Sequence, residues 1–499
     1  MKLSLEQHFQ RFAKNIIGQN SSFQSPNGVQ PIVYADWIAS GRLYGPIEDK
    51  MLNVFGPYVA NTHTETNITG TKMTLAYHQS KEIIKKHVGA NADDALIAYG
   101  SGMTGVINKF QRILGFKMPK NAIAALQIAD ADRPIVFVTH MEHHSNHTSW
   151  IETICDVVMI DPDQDGLVNV QDLKEKLAIY KDRKLKIAAI TACSNVTGIQ
   201  TPYHPIAAMM HAAGGFCFVD FACSAPYVAM NMHPTNIAER LDAIYFSAHK
   251  FLGGPGTPGI LIFNKELYTN EVPDNPGGGT VKWTNAWNEH EFIDSIEDRE
   301  DGGTPPFLQT IKAALCVQLK EEMGIENIMA REEEMIHHLF EKLGSSNNVH
   351  ILAGNIQDRL GAISFIIDGV HFNLVVKLLN DKFGIQVRGG CSCAGPYGHY
   401  LHKIDRLQSK QITASIDKGM LCDKPGWVRL SLHPTMSNET LDYIIDAINQ
   451  VAAHHADWGK DYTYNLQSNE FDYNVPFDDG VEEWLQNAFS SAEQQVVVM

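Results

Sequence analysis

Short apolar runs alternate with amphipathic stretches along most of the chain. The first stretch, MKLSLEQHFQRFAKNIIGQN, places Leu5, Phe9, Phe12 and Ile16 on one face, the spacing of a helix. A Gln-, Ser-, Asn- and Gly-rich loop completes residues 1–30, and 31–36 reads as a short strand. Helical periodicity fills 45–90 around a polar loop at 61–67. Beyond it, β-branched and aromatic runs predict strands over 95–99, 134–139, 157–160, 186–191, 216–220, 243–246 and 259–263, with helices over 104–114 and 201–213 among them. Strands separated by helical segments imply a mostly parallel sheet covered on both faces. Ligands of such sheets bind outside the carboxyl ends of the strands. A Gly/Pro-rich loop at 273–279 and a polar, acidic segment up to 303 interrupt the alternation. A helix over 306–323 leads to a second domain, with strands at 361–367 and 385–388 and helices at 372–382 and 438–453. Residues 460–499 are acidic and aromatic without a clear period, which predicts an extension lying on the surface or on a partner subunit. No internal repeat is visible.

Composition narrows the class. The 499 residues are enough for two or three domains with a large core, and 44% hydrophobic with 19% charged residues is ordinary for a globular protein. A net charge of −17 argues against non-specific binding of nucleic acid. No uninterrupted apolar run reaches the roughly 18 residues of a membrane span. The first helix has neither an h-region nor a cleavage signature, so no signal peptide is expected. Eight cysteines in a chain this long make no disulfide framework, and Cys155 and Cys217 sit in apolar runs. Reduced thiols in a cytoplasm is the simplest expectation.

Candidate chemistry centres on Ser247-Ala248-His249-Lys250, which follows the apolar run 243–246 and precedes a Gly/Pro turn. A lysine at the inner end of a buried strand is costly to desolvate. Desolvation lowers its pKa and frees an amine that attacks carbonyls, so a Schiff-base lysine fits; a lysine snorkelling to the surface fits this stretch equally. Gly100-Ser101-Gly102-Met103-Thr104-Gly105 follows a strand and opens a helix. As a dinucleotide fingerprint it lacks the acidic residue at the end of the next strand, which closes on Thr139-His140. As small residues and a hydroxyl at a helix start, it suits a phosphate monoester. Asp220, at the end of another buried strand, needs a partner. A cationic ring nitrogen or the N-cap of the next turn would each supply one.

Three further motifs compete. Asp161, Asp163, Asp165 and Asp172 imitate a calcium loop but follow a strand rather than a helix, so a β-turn is expected. The histidines of 140–147 lack H-E-x-x-H spacing, although His143 and His147 alone have the spacing of zinc ligands on one helix face. His143 would instead stack on a planar ligand, and His140 and His147 read as solvated loop residues; no metal is expected. Cys391-Ser392-Cys393 is too tight for one tetrahedral zinc. Its flanking glycines predict a mobile loop, and Arg388 nearby favours a thiolate, so a nucleophilic cysteine is expected.

These pieces recur together in one known setting. Met141-Glu142-His143-His144-Ser145-Asn146, Ser194-Asn195-Val196-Thr197-Gly198, Val219-Asp220-Phe221-Ala222, Phe246-Ser247-Ala248-His249-Lys250, Gly277-Gly278-Gly279-Thr280, Gly302-Gly303-Thr304-Pro305 and the 387–394 segment appear in this order. The set resembles the class V aminotransferases of pyridoxal-phosphate fold-type I. It is most similar to the group II cysteine desulfurase and selenocysteine lyase branch, over roughly residues 30–455. The molybdenum-cofactor sulfurase branch is also similar.

The resemblance implies an α/β fold: a large domain with a mostly parallel seven-stranded sheet and a smaller α+β C-terminal domain. Expected bounds are 1–45 for an N-terminal segment packing on the small domain, 46–305 for the cofactor domain, 306–458 for the small domain and 459–499 for the extension. It implies pyridoxal 5'-phosphate as cofactor, with Lys250 as Schiff-base lysine and proton shuttle, His143 stacked on the ring and Asp220 on the pyridine nitrogen. Asn195 would meet the phenolic oxygen near the substrate carboxylate. Gly102, Met103, Thr104, Ser247, His249 and Thr304 of a second subunit would hold the phosphate. Arg429, assisted by Arg388, would clamp the carboxylate of an amino-acid substrate, and Cys393 would carry a persulfide. The resemblance also implies a homodimer and a sulfur-acceptor protein as partners.

Five departures, one of them a tail after residue 460 that has no place in the short desulfurases, loosen the substrate more than the cofactor. Cys223 stands where the family has a glutamine touching the phenolic oxygen, and Cys391 adds a second thiol to the loop. His433-Pro434 replaces Tyr-Asn after Arg429, and 403–424 reads as an insertion. A transaminase, an epimerase or a different C–S lyase of the same family therefore remains open.

Overall fold

In the computed structural model, residues 3–62, 64–344, 346 and 348–490 are described. Seven strands form the central sheet in the spatial order Asp94–Tyr99, Gly259–Asn264, Ala243–Ser247, Phe216–Asp220, Lys186–Thr191, Ile135–Thr139, Asp156–Ile160. Only Gly259–Asn264 runs antiparallel to its neighbours. Lys186–Thr191 and Ile135–Thr139 are buried at every position, which is why their sequences are continuous apolar runs rather than alternating ones. The helix Met103–Ile113 covers one face, where Phe110 packs edge-on against Phe218 at 5.1 Å. The opposite face belongs to the main core, which continues into the rest of the molecule. The helices Ile68–His87 and Phe307–Met323 pack against each other.

A second, four-stranded antiparallel sheet has the order Val349–Ile351, Ala362–Ile367, Trp427–Ser431, Arg388–Gly390. The expected single strand at 385–388 is divided at Val387: Ile385–Gln386 pairs in parallel with Val33–Tyr34, while Arg388–Gly390 joins the four-stranded sheet. Residues 33–36 are thus held against C-terminal elements, and Ser431 N–H donates to Ala35.

Several polar stretches are more regular than their sequences predict. The loop expected after the first helix contains the hairpin Ser22–Ser25/Gly28–Pro31. The acidic segment before 303 contains the hairpin Val281–Thr284/His290–Phe292 and the short helix Ile296–Arg299. The stretch 403–424 holds the helix Arg406–Ile416, started by an Asp405 capping box. Of the extension, Tyr462–Asn465 and Glu470–Tyr473 form a hairpin docked through Tyr462 Oη on Asp381, followed by the helix Val481–Ala488. Residues 491–499 and His63 of the polar loop lie outside the described residues.

Candidate active site

The carboxyl ends of the central strands open into a cavity of about 240 Å³. Lys250 enters it from the short 3₁₀ turn Ala248–Lys250, directly after the strand Ala243–Ser247. Burial lowers the lysine pKa, opposed by the negative charges of Cys223 and Asp220. Asp220 ends the neighbouring strand, and burial pushes its carboxyl up to about 6. Its one side-chain hydrogen bond comes from Ala222 N–H at 2.8 Å, so the carboxylate retains accepting capacity toward the cavity.

His143 caps the helix His144–Ile151: its Nδ1 accepts from Ser145 N–H at 3.1 Å. That bond leaves the proton on Nε2. Burial and the charge of Lys250 lower the ring's pKa to about 3, so His143 is a neutral flat donor. Beneath it, buried Glu142 accepts from Thr139 Oγ1 at 2.7 Å, Asn146 Nδ2 at 2.8 Å and Thr191 N–H at 2.8 Å. Asn146 Oδ1 in turn accepts from Tyr245 Oη at 2.7 Å. This network fastens the helix carrying His143 to three strands of the sheet.

The helix Met103–Ile113 begins at the cavity with no side-chain cap on its start. Ser247 Oγ accepts from Met103 N–H at 2.8 Å, and Thr104 Oγ1 lies 2.6 Å from Ser145 Oγ. A Cβ on Gly102 would stand 3.1 Å from Ser247 Oγ and 3.5 Å from His249 Cδ2, so any side chain here would crowd this cradle. A helix start whose first N–H is met only by the Ser247 hydroxyl, lined by further hydroxyls and an imidazole, is suited to a phosphate group.

At the other end stand two arginines. Arg429 Nη2 donates to Asp36 Oδ1 at 2.7 Å, and Arg388 Nε to Asp36 Oδ2 at 3.1 Å. Arg429 Nη1 donates to the Asn195 carbonyl at 3.2 Å, leaving Nε buried without a partner. Asn195 Nδ2 donates to the Ser392 carbonyl at 2.7 Å, and its buried Oδ1 has no partner. The guanidinium forks expected to be open for a substrate are therefore already bridged by a carboxylate of the chain itself.

The 391–394 loop is pinned rather than mobile. Besides the Asn195 bond, His144 N–H donates to the Cys393 carbonyl at 2.7 Å, Gly395 N–H donates to His144 Nε2 at 2.9 Å, and Trp427 Nε1 donates to Ser392 Oγ at 3.2 Å. Ser392 and Cys393 both adopt the left-handed region, with φ 50° and 56°, a conformation costing non-glycine residues about 1–2 kcal/mol each. Cys393 is exposed and lines the cavity; Cys391 is half-buried and packs on the core.

Of the residues expected at the site, Met103, Thr104, His143, Asn195, Asp220, Cys223, Ser247, His249, Lys250, Arg388, Cys393 and Arg429 line this one cavity. Gly102 adjoins it through Ser247 and His249, and Thr304 is exposed outside it. His140 is a correction: it is buried, with Nε2 near the Gly166 carbonyl at 3.2 Å, because the 161–169 turn folds over it. In that turn Lys176 Nζ bridges Asp161 and Asp172 at 2.8 and 2.6 Å, where a calcium loop would hold its ion. Sequence reasoning missed Asp36, Glu142 and Cys193. Asp36 had a signal, since it closes a short strand as Asp220 does.

A pyridinium bearing a phosphate arm fits the groups present. Asp220 offers an acceptor to the ring N–H, the Gly102 cradle takes the phosphate, Lys250 presents an amine, and His143 forms a flat wall.

The family model for aminotransferase class V matches residues 33–444. A cysteine desulfurase of Haloferax volcanii is 25% identical over 425 residues, covering 84% of this chain and 89% of that protein. A probable cysteine desulfurase of Halalkalibacterium halodurans is 26% identical over 386 residues, covering 76% and 87%. Among solved structures, a cysteine desulfurase from Thermococcus onnurineus superposes with a TM-score of 0.71 at 21% identity, covering 89% of this chain and 98% of that one. The shared architecture is that of fold-type I, with the seven-stranded, mostly parallel sheet at its centre.

Proposed function

The chain belongs to the class V aminotransferase family, and on that premise we propose that it is a pyridoxal-phosphate-dependent enzyme cleaving the C–S or C–Se bond of L-cysteine or L-selenocysteine. The observation that carries this reading is that Cys393 and Lys250 line the same cavity. When bound, pyridoxal phosphate supplies an electron sink that loosens bonds around the substrate α-carbon.

The chain's own residues do the rest. Gly102, Met103, Thr104, Ser247 and His249 would hold the phosphate, and Thr304, exposed and outside its own cavity, would serve a second copy in a homodimer. Asp220 would accept from the N–H of a bound pyridinium, and Cys223 would border that ring from the same wall. His143, neutral and fixed by Ser145, would lie flat against the ring and donate from Nε2. Its lowered pKa makes it a poor base, so Lys250 Nζ takes the α-proton and returns it to the carbon. Arg429 and Arg388 receive the substrate carboxylate, with Asn195 beside them. The Cys393 thiolate attacks the substrate sulfur; the S–C bond breaks, its electron pair stays with the carbon fragment that leaves as alanine, and the sulfur remains on Cys393 as a persulfide. Because Cys393 is exposed, an acceptor protein can reach it.

Incubation with L-cysteine tests the reading. Alanine and sulfide are expected in equal amounts with a reductant present, and Lys250→Ala should abolish both. Undiminished turnover of Cys393→Ala without reductant would remove the persulfide step. A second reading, another class V reaction on a different amino acid, draws on Cys223 beside Lys250 and on the Asp36 bridge. A panel of amino acids followed by cofactor absorbance separates the two. No helix among the described residues is long and apolar enough to cross a membrane.

A further inference from the structure

The ends of two adjacent parallel strands bring a pair of cysteines together inside the cavity. Lys186–Thr191 and Phe216–Asp220 are in register with Thr191 opposite Asp220. Cys193 lies just past the first strand and Cys223 just past the second, and both line the cavity wall. Their sulfurs converge on one carbonyl: Cys193 Sγ is 3.5 Å and Cys223 Sγ 3.7 Å from Ser194 O. The Ser194 carbonyl is thus the common neighbour of both thiols. Cys155, Cys217 and Cys316 are buried in apolar packing, and the remaining three cysteines lie on the 391–394 loop and at Cys422. Neither Cys193 nor Cys223 has a task in sulfur transfer as described above.

Their surroundings make the two sulfurs unequal. The Cys193 thiol, with the charges of Lys250 and Arg429, holds the Cys223 thiol below its usual range, whereas burial pushes Cys193 well up. One sulfur is the better nucleophile and the other the proton-bearing donor, the division of labour of an attacking and a resolving thiol.

We propose that Cys193 and Cys223 are an oxidation site inside the active-site cavity, where peroxide joins them in a reversible disulfide. Cys223 thiolate attacks one peroxide oxygen, the O–O bond breaks, and the sulfur becomes a sulfenic acid while hydroxide leaves. Cys193 sulfur then attacks the Cys223 sulfur, and its proton goes with the departing oxygen as water. Overall two thiols and one hydrogen peroxide give one disulfide and two waters, the sulfurs losing the two electrons that peroxide gains. Sulfurs that already meet at one carbonyl oxygen need to close to about 2.05 Å. The bridge ties the segments of Asn195 and Asp220 together and removes the Cys223 thiol from beside Lys250. The inference holds whichever amino acid the enzyme processes.

Peptide mapping of the full-length holoenzyme tests it. The protein is treated with hydrogen peroxide, alkylated under denaturing conditions and digested with chymotrypsin, whose cuts after Tyr203, Phe216, Phe218 and Phe221 place Cys193, Cys217 and Cys223 on separate peptides. The expected result is a cross-linked 193–223 peptide, equal loss of both alkylated forms, reversal by dithiothreitol and an unchanged Cys217. In Cys193→Ser, Cys223 should instead pass to the sulfinic acid. Free, alkylatable Cys193 and Cys223 in wild-type protein whose Cys393 has been oxidised would overturn the proposal, as would a disulfide confined to Cys391 and Cys393. The wild-type map decides even if the variant fails to fold.

Discussion

Asp36 Oδ1 accepts a hydrogen bond from Arg429 Nη2 at 2.7 Å, across 393 positions of sequence, and its other oxygen meets Arg388. A carboxylate of the chain thus sits between the two guanidinium groups that suit a substrate carboxylate. An incoming α-carboxylate must displace Asp36 or share the arginines with it. Asp36→Asn keeps the shape and removes the competing charge. The variant should lower KM for the amino acid by about tenfold, equivalent to about 1.4 kcal/mol. Steady-state kinetics reads this directly, and a raised KM would make Asp36 a positioning residue for Arg429 instead.

The thiols of the 391–394 loop should separate in function. Cys393 faces the cavity and Cys391 packs on the core. Cys393→Ala should reduce turnover of cysteine by about 10²–10⁴-fold, the range typical for loss of a group acting in the transition state. Cys391→Ala should leave sulfur transfer largely intact. Intact-mass measurement after one turnover should find an added sulfur atom on wild type and Cys391→Ala, and none on Cys393→Ala.

The Gly102 cradle can be closed by one methyl group. Alanine there places Cβ 3.1 Å from Ser247 Oγ, in the space between the helix start and His249. Gly102→Ala should weaken cofactor retention about tenfold or more, with little change in thermal stability of the cofactor-free protein. Titration of cofactor into the stripped protein measures it.

Glu332 gives a pH signature to stability. It is buried in the helix Ile325–Leu343, where Oε1 nears the Gly361 backbone without a well-formed hydrogen bond, and burial raises its pKa from 4.5 to about 8. The folded state therefore keeps a proton that the unfolded chain releases near 4.5. Its contribution to stability is greatest below that pH and declines as pH rises toward about 8. Glu332→Gln cannot lose the proton. Relative to wild type it should gain on the order of a few kcal/mol between pH 5 and about 9, seen in denaturant unfolding at the two pH values.

What the sequence made legible was whatever burial writes into a continuous run. The seven central strands are apolar on both faces, so their runs stand out, and Lys250, Asp220 and His143 follow directly from strand ends. The hairpins Ser22–Ser25/Gly28–Pro31 and Tyr462–Asn465/Glu470–Tyr473 are only partly buried, and their polar four-residue strands resemble loops. The helix Ile325–Leu343 follows Gly324 without a break and carries charge on its outer face, so its apolar stripe escaped notice. Asp36 and Cys193 escaped for another reason. Their meaning lies in partners, Arg429 and Cys223, that no local spacing connects to them.

The pairing of Val33–Tyr34 with Ile385–Gln386 sets an order of events during synthesis. The residues proposed to hold the cofactor, from Gly102 to Lys250, all leave the ribosome before the four-stranded sheet does. Asp36 is made long before it, yet must wait for Arg388 and Arg429 before the carboxylate seat exists. Until then its short strand has no neighbour, and closing so long a loop is a late, entropically unfavourable step. A nascent chain therefore carries every residue proposed for the cofactor well before it carries the two arginines proposed for the substrate carboxylate.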